Sequence, residues 1–496
     1  MAPVVASSLD TTTPGPDTAV LGPEVPALVE VVERRTATTK TFVTDQPGQF
    51  LTKAFSGAVH FRDTAGMWQD IRTGLVEAGV GRVANAANDV RLELALNPAD
   101  SVLGRVSVDD THSVAFSLEG AQAGLGVNTG STVTYDEALP QVDLRFISRR
   151  AGLKEELVLA SGAAPDTFVF PMVLVGLTAE VDPATGDVMY RDETGAERLR
   201  TPHGFMTDAN IDPRSGEAPR SDAVAYELIP YGAGLALRVR LDRGWLDDPA
   251  RMWPVTVDPP YWNSTTLQDD TYVMSGFTRD NANDAELKVG TYDGGAHIGI
   301  SFMHFDVSGL SGKVIESAAF HALNHHSWSC QDRGVGVYRV TQGWNGHTMT
   351  QYAGASVQDR VGWTPTSRGY EPGGCADGWA SFGQDGVNNF MLDTVRNWTS
   401  QPPVWGMHGL ALKVDPGSEG DNFAWKKFAS WDACGGGSCI PHIDIYWSEP
   451  NQAPNVPDSR SPGSGWVGTT APTLAARYTD PDGNDHDQRN LPRLDH

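Results

Sequence analysis

Apolar and polar residues alternate in short runs along most of this chain. Val90, Leu92, Leu94 and Leu96 are separated by Arg91, Glu93 and Ala95; Val142, Leu144 and Phe146 by Asp143 and Arg145; Leu235, Leu237, Val239 and Leu241 by Ala236, Arg238 and Arg240. A period of two turns one side of each segment to a core and the other to water, which predicts half-buried strands of antiparallel sheets. Ile298, Ile300 and Phe302 repeat the pattern, as do Ile443, Ile445 and Trp447. One stretch breaks it. Phe390, Thr394 and Trp398, with Met391 and Val395 beside them, recur at helical spacing and predict a short helix. The fold class expected is all-β: multidomain antiparallel β-sandwiches, with one short helix in the second half.

Breaks in this pattern set the domain organisation. Residues 1–33 hold no Lys or Arg and show no period, and read as a disordered lead. A β-rich region follows over 34–260, splitting into two subdomains near 135. Trp253-Pro-Val-Thr-Val-Asp-Pro-Pro260 closes it with three prolines in eight residues, a stiff extended connector. Three of the 14 Trp precede residue 260 and ten lie between Trp262 and Trp447, so 261–448 reads as a different, Trp-rich β-sandwich. A Pro-, Ser- and Gly-rich linker spans 449–468, and 469–496 reads as the truncated start of a further β domain.

Charge narrows the partners. With 37 Lys+Arg against 62 Asp+Glu the net charge is −25, so the expected partners exclude nucleic acid, which binds concentrated positive charge. No apolar run reaches the roughly 18 residues that span a bilayer, so no membrane span is expected. The first residues lack a basic n-region, and no export signal is visible in the chain. Four cysteines, Cys330, Cys375, Cys434 and Cys439, sit in a turn-rich acidic stretch, an even number that suits two disulfides and a secreted or cell-surface location. Of the three pairings, Cys330 with Cys375 and Cys434 with Cys439 is preferred, because the glycines of Cys434-Gly-Gly-Gly-Ser-Cys439 bend tightly. The alternative is a zinc site of Cys434, Cys439 and His442, completed by His325, His326 or Cys330.

Several segments together carry a resemblance. Val59-His-Phe-Arg-Asp-Thr-Ala-Gly-Met-Trp68, Gly152-Leu-Lys-Glu-Glu-Leu-Val-Leu159 and Trp245-Leu-Asp-Asp-Pro249 resemble the N-terminal region of secreted bacterial RHS/YD-repeat proteins. Asp270-Thr-Tyr-Val273, Leu287-Lys-Val-Gly290, Ser301-Phe-Met-His-Phe-Asp306, Val335-Gly-Val-Tyr-Arg-Val-Thr341 and Asp393-Thr-Val-Arg-Asn-Trp398 resemble the DNRLRE domain, akin to carbohydrate-binding module family 96. The resemblance implies a non-catalytic extracellular or cell-wall-associated protein whose second half binds glycan, with a downstream RHS repeat region missing. No YD repeat is present. The alternatives are a purely structural spacer or shell segment of an RHS toxin-delivery protein, and a polysaccharide-active hydrolase or lyase.

The chemistry sought in the sequence fits that expectation. Nucleophile elbows, His-Glu-x-x-His helices and phosphate loops are missing, so no catalytic residues are assigned and the chain is not expected to be an enzyme. Flat rings beside polar side chains suit sugar faces, which makes Trp328, Trp363, Tyr370, Trp379 and Trp405 candidate carbohydrate-binding residues. Trp344 and Trp398 read as core. His321, His325, His326 and His347 suit a solvated strand face better than a metal. Asp480-Pro-Asp-Gly-Asn-Asp485 reads as a turn. No cofactor is expected beyond a structural calcium at Asp269, Asp270, Asn281 and Asn283, proposed from oxygen-donor density alone.

Overall fold

A computed structural model of the 496-residue chain describes residues 28–258, 261–263, 270–383, 390–433, 439–451, 459–461 and 475–477. The alternating segments are strands: Arg91–Ala95, Val142–Ser148, Gly234–Leu241, Gly299–Met303 and His442–Ser448. The helical repeat forms Phe390–Thr399, which buries Met391, Val395 and Trp398. The protein is all-β, with every strand pair antiparallel among the described residues.

Two sheets enclose the first core. One runs from Val224–Tyr231 at one edge to Arg72–Glu77 at the other; the second runs from Val127–Thr129 to Thr178–Val181. Leu92, Val106, Phe170 and Leu237 of the first face Tyr135, Leu144, Leu157 and Val257 of the second. Phe116 meets Phe146 edge-on, ring centres 5.6 Å apart. Such aromatic pairs add about 0.5–1.5 kcal/mol to the area they bury. Glu155 shares this core side with Leu153 and Leu157. It is 1% exposed, and burial pushes its carboxyl well above the usual range.

The second core lies between a five-stranded sheet and a larger one. The five strands are, in lateral order, Asp270–Met274, Gly299–Met303, Leu410–Val414, Arg333–Val340 and Val357–Thr366. In the larger sheet His442–Ser448 pairs with Val314–Ser327 on one side and with Gln49–Phe55 on the other. The hairpin Thr39–Val43 and Gln49–Phe55 therefore completes a sheet built from residues almost 400 positions later. Its seven-residue register, from Gln49 opposite Ser448 to Phe55 opposite His442, leaves Ala54, Ile443, Ile445 and Phe320 facing the core.

The two bodies are stitched by specific contacts. Arg150 N donates to Asp432 Oδ1 at 2.8 Å, and Trp425 Nε1–H donates to Ser215 O at 2.7 Å.

Candidate functional site

The alternation that buries Ile443 and Ile445 turns His442 and Asp444 to the opposite face of the sheet. Cross-strand partners in an antiparallel sheet share a face, so the register sets a row of side chains: Phe55, His442, His321 and Ser381. Two residues to one side of this row Lys53 stands opposite Asp444, and two residues to the other side Trp379, which precedes Ser381 on the strand Gly378–Phe382, stands opposite Leu323. Four adjacent strands thus gather two imidazoles, an ammonium, a carboxylate and an indole.

Their geometry is specific. Lys53 Nζ donates to Asp444 Oδ1 at 2.8 Å and lies 3.4 Å from His442 Nε2. His442 Nδ1 lies 2.9 Å from Ile440 O; a carbonyl only accepts, so Nδ1 carries the proton and Nε2 offers its lone pair. His321 Nδ1 lies 2.8 Å from Ser381 Oγ, and its ring stacks on His442 with centres 5.2 Å apart. Trp379 meets His442 edge-on at 5.1 Å and is 40% exposed, so the cluster opens to solvent beside a flat ring. Burial, with Lys53 adding to it, drives the His442 imidazole down to about 4, and burial lowers His321 as well. Both rings are therefore neutral near pH 7. The cation among them is Lys53 itself, and among the described residues no group of three His, Cys, Asp or Glu has metal-binding geometry.

The other aromatic candidates do not join this face. Trp363 lies on the five-stranded sheet and gives its Nε1–H to Asp415 Oδ2 at 2.8 Å. Trp405 is covered by the Arg339 guanidinium at 4.1 Å. Trp328 packs against Tyr272, Met274 and Trp425, while the half-buried Tyr370 bridges to Cys375. Trp344 stacks on His304 at 4.0 Å beside a shallow cleft of about 270 Å³ lined by Gln342, Asn345 and Gln351. Cys330 is bonded to Cys375, with Cα atoms 5.8 Å apart; Cys439 is also disulfide-bonded, and Cys434 lies outside the described residues. Of the calcium candidates, Asp269 lies outside the described residues. Asp270 accepts from Trp431 N at 2.6 Å and Ser56 Oγ at 3.2 Å, Asn281 donates to Tyr272 O at 2.9 Å, and Asn283 Oδ1 is buried without a hydrogen-bond partner. The turn 480–485 also lies outside the described residues.

Comparison with known proteins brings in nucleic acid. The chain is 24% identical over 447 residues to the tRNA3(Ser)-specific nuclease WapA of Bacillus spizizenii, covering 85% of this chain and 18% of that protein. It is 25% identical, with the same coverage, to the tRNA(Glu)-specific nuclease WapA of Bacillus subtilis subsp. natto and to the tRNA nuclease WapA of Bacillus subtilis. No family model matches. The chain thus spans about a fifth of the length of these relatives.

These relatives correct the expectations drawn from the sequence. They are named nucleases, so the likeness to DNRLRE and carbohydrate-binding module proteins, the non-catalytic glycan-binding or cell-wall role with its spacer and polysaccharide-hydrolase alternatives, and the assignment as no enzyme are not kept. Their named substrate is tRNA, which overturns a partner list holding glycan and excluding nucleic acid. The physical reasons lie in averaging. Net charge sums a whole surface and says nothing about one sheet face. Part of the Trp excess is core: Trp398, Trp425, Trp431 and Trp447 are each no more than 1% exposed. Sequence reasoning missed the cluster because Lys53 and His442 stand 389 residues apart; the signal present was the polar positions of His442-Ile-Asp-Ile-Tyr-Trp447.

Proposed function

We propose that this chain is part of an RNA-cleaving protein of the tRNA-nuclease kind, and that the face of Lys53, His321, Trp379, His442 and Asp444 is where its described residues meet RNA. The observation that carries the reading is the 447-residue likeness to three tRNA nucleases. The chemistry of the face supports it. An exposed indole stacks an unpaired base, which is worth about 1–3 kcal/mol per base. The neutral His442 imidazole, whose Nε2 carries its lone pair beside Lys53 Nζ, takes the proton of a ribose 2′-hydroxyl; the oxygen bonds to phosphorus and the P–O5′ bond breaks. The Lys53 ammonium faces the charge that develops on the phosphoryl oxygens and protonates the departing O5′, leaving a 2′,3′-cyclic phosphate.

The disulfides support a second element, operation outside the reducing cytosol, where such bonds persist. No helix of the described residues is long and apolar enough to cross a membrane.

The test is cleavage of tRNA by the full-length gene product and by this chain, with His442→Ala and His321→Ala made in each. The expected result is loss of cleavage by about 100-fold or more in the variants, the range a general base supplies. Cleavage unchanged by both substitutions would remove the site assignment and leave the nuclease reading standing. A full-length product that cuts no RNA would remove the nuclease reading too.

A further inference from the structure

The loop 212–217, Asp-Pro-Arg-Ser-Gly-Glu, leaves the first β body and enters a slot in the second. It holds its own shape: Asp212 Oδ1 accepts from Arg214 N at 3.0 Å and Ser215 N at 2.7 Å, and Gly216 takes φ +66°. Three successive carbonyls of the loop are then met by side chains of the other body. Arg214 O accepts from His326 Nε2 at 2.8 Å, Ser215 O from Trp425 Nε1 at 2.7 Å, and Gly216 O from Lys427 Nζ at 2.8 Å. The Glu217 carboxylate lies 2.8 Å from both Lys288 Nζ and Lys427 Nζ. The fit is close, since a Cβ on Gly216 would stand 3.1 Å from the His326 ring and from Lys427 Nζ.

The charges in this slot balance only while its two histidines are neutral. The charged groups about His325 and His326 are Glu286 from the strand Glu286–Val289, Lys427 from the strand Lys426–Ala429 and Glu217 from the loop, with Lys288 reaching them through Glu217; Arg214 meets His326 only through its backbone carbonyl, its guanidinium lying over the Trp328 ring. Glu286 is already engaged by Lys427 at 3.0 Å, and Glu217 by both lysines. His325 Nε2 is buried without a hydrogen-bond partner. A proton on either ring adds positive charge beside Lys427, where both carboxylates are already shared with lysines.

We propose that the loop 212–217 is a clasp between the two β bodies that acid releases: it stays seated while His325 and His326 are neutral and withdraws when they take up protons, the bodies themselves remaining folded. Burial holds the seated His325 down to about 4 and lowers His326 as well, whereas a ring freed into water titrates near 6.5. The open slot therefore binds protons that the closed one refuses, so the clasp is stable above about pH 6.5 and weakens as pH falls toward 4. Burial works against the charge on Glu217 and Glu286, but the lysines outweigh it and hold both carboxyls below their ordinary range, so they stay ionised across that window.

Hydrogen exchange on the intact chain at pH 7.5 and pH 5.0, corrected for the intrinsic pH dependence of exchange, tests this. The clasp predicts exchange at residues 212–217 at least about tenfold faster at pH 5.0, with the strands of both bodies unchanged, and His325→Gln combined with His326→Gln should cancel most of the acceleration. Equal corrected rates at the two pH values in the unaltered chain would overturn the proposal. So would acceleration spread evenly over all strands, which signals global unfolding. The comparison within the unaltered chain decides the matter even where the double variant fails to fold, and it is independent of any nuclease activity.

Discussion

At the scale of single residues, two buried polar groups make the sharpest cases. Thr52 is 2% exposed, and its Oγ1 accepts the Trp447 Nε1–H at 2.8 Å while also bonding Thr41 Oγ1 at 2.9 Å. Thr52→Val keeps the shape and removes that acceptor, leaving an indole N–H buried and unmet. Denaturant unfolding should show a loss of about 1–3 kcal/mol, the usual cost of such an orphan. Glu155 is the reverse situation, a carboxyl set among leucines with Oε1 unpartnered. Its folded form holds its proton well above the ordinary carboxyl range, so its contribution is present at acid pH and is lost as pH rises past the unfolded value near 4.3. Glu155→Gln should therefore be more stable than the parent at pH 8, and the difference should shrink at pH 4, as thermal unfolding at the two pH values would show.

At the scale of elements, period two was enough to place strands, because burial of alternate residues is local in sequence. His442–Ser448 shows how far that goes: Ile443, Ile445 and Trp447 are buried, as their spacing requires, and the intervening positions face out. The helix Phe390–Thr399 was legible for the same reason, its apolar residues falling on one side at helical spacing. What the pattern could not supply was the neighbour of each strand. Nothing in Gln49–Phe55 names His442–Ser448 as its partner, and that pairing is what brings Lys53 to His442. Aromatic counting failed for a related reason. A Trp in the sequence looks the same whether its N–H reaches a buried carbonyl, as Trp431 reaches Ala58 O, or whether its ring opens to solvent, as in Trp379.

At the scale of the whole molecule, covalent and ionic ties hold loops that carry little core of their own. The Cys330–Cys375 bond joins residues separated by 45 positions. In the chain-entropy account, closing a loop of that length stabilises the fold by about 4 kcal/mol. Reduction, or Cys330→Ser with Cys375→Ser, should lower the unfolding free energy by about 2–4 kcal/mol in chemical denaturation. The loop 212–217 acts at the same scale, since its contacts join the two β bodies, and its response to pH belongs to neither body alone.

The amino-acid sequence by itself determined the class of this protein: strands, a short helix, and cores of aliphatic and aromatic residues, all of which follow from patterns only a few residues long. The tertiary structure decided which residues act together. Lys53, His321, Trp379 and His442 meet because hydrogen-bonded register ties together strands far apart in the chain, and His326 meets Arg214 because two separately built cores pack side by side. Register and packing are set by the sum of many weak contacts over the whole fold, and no single segment of sequence encodes that sum.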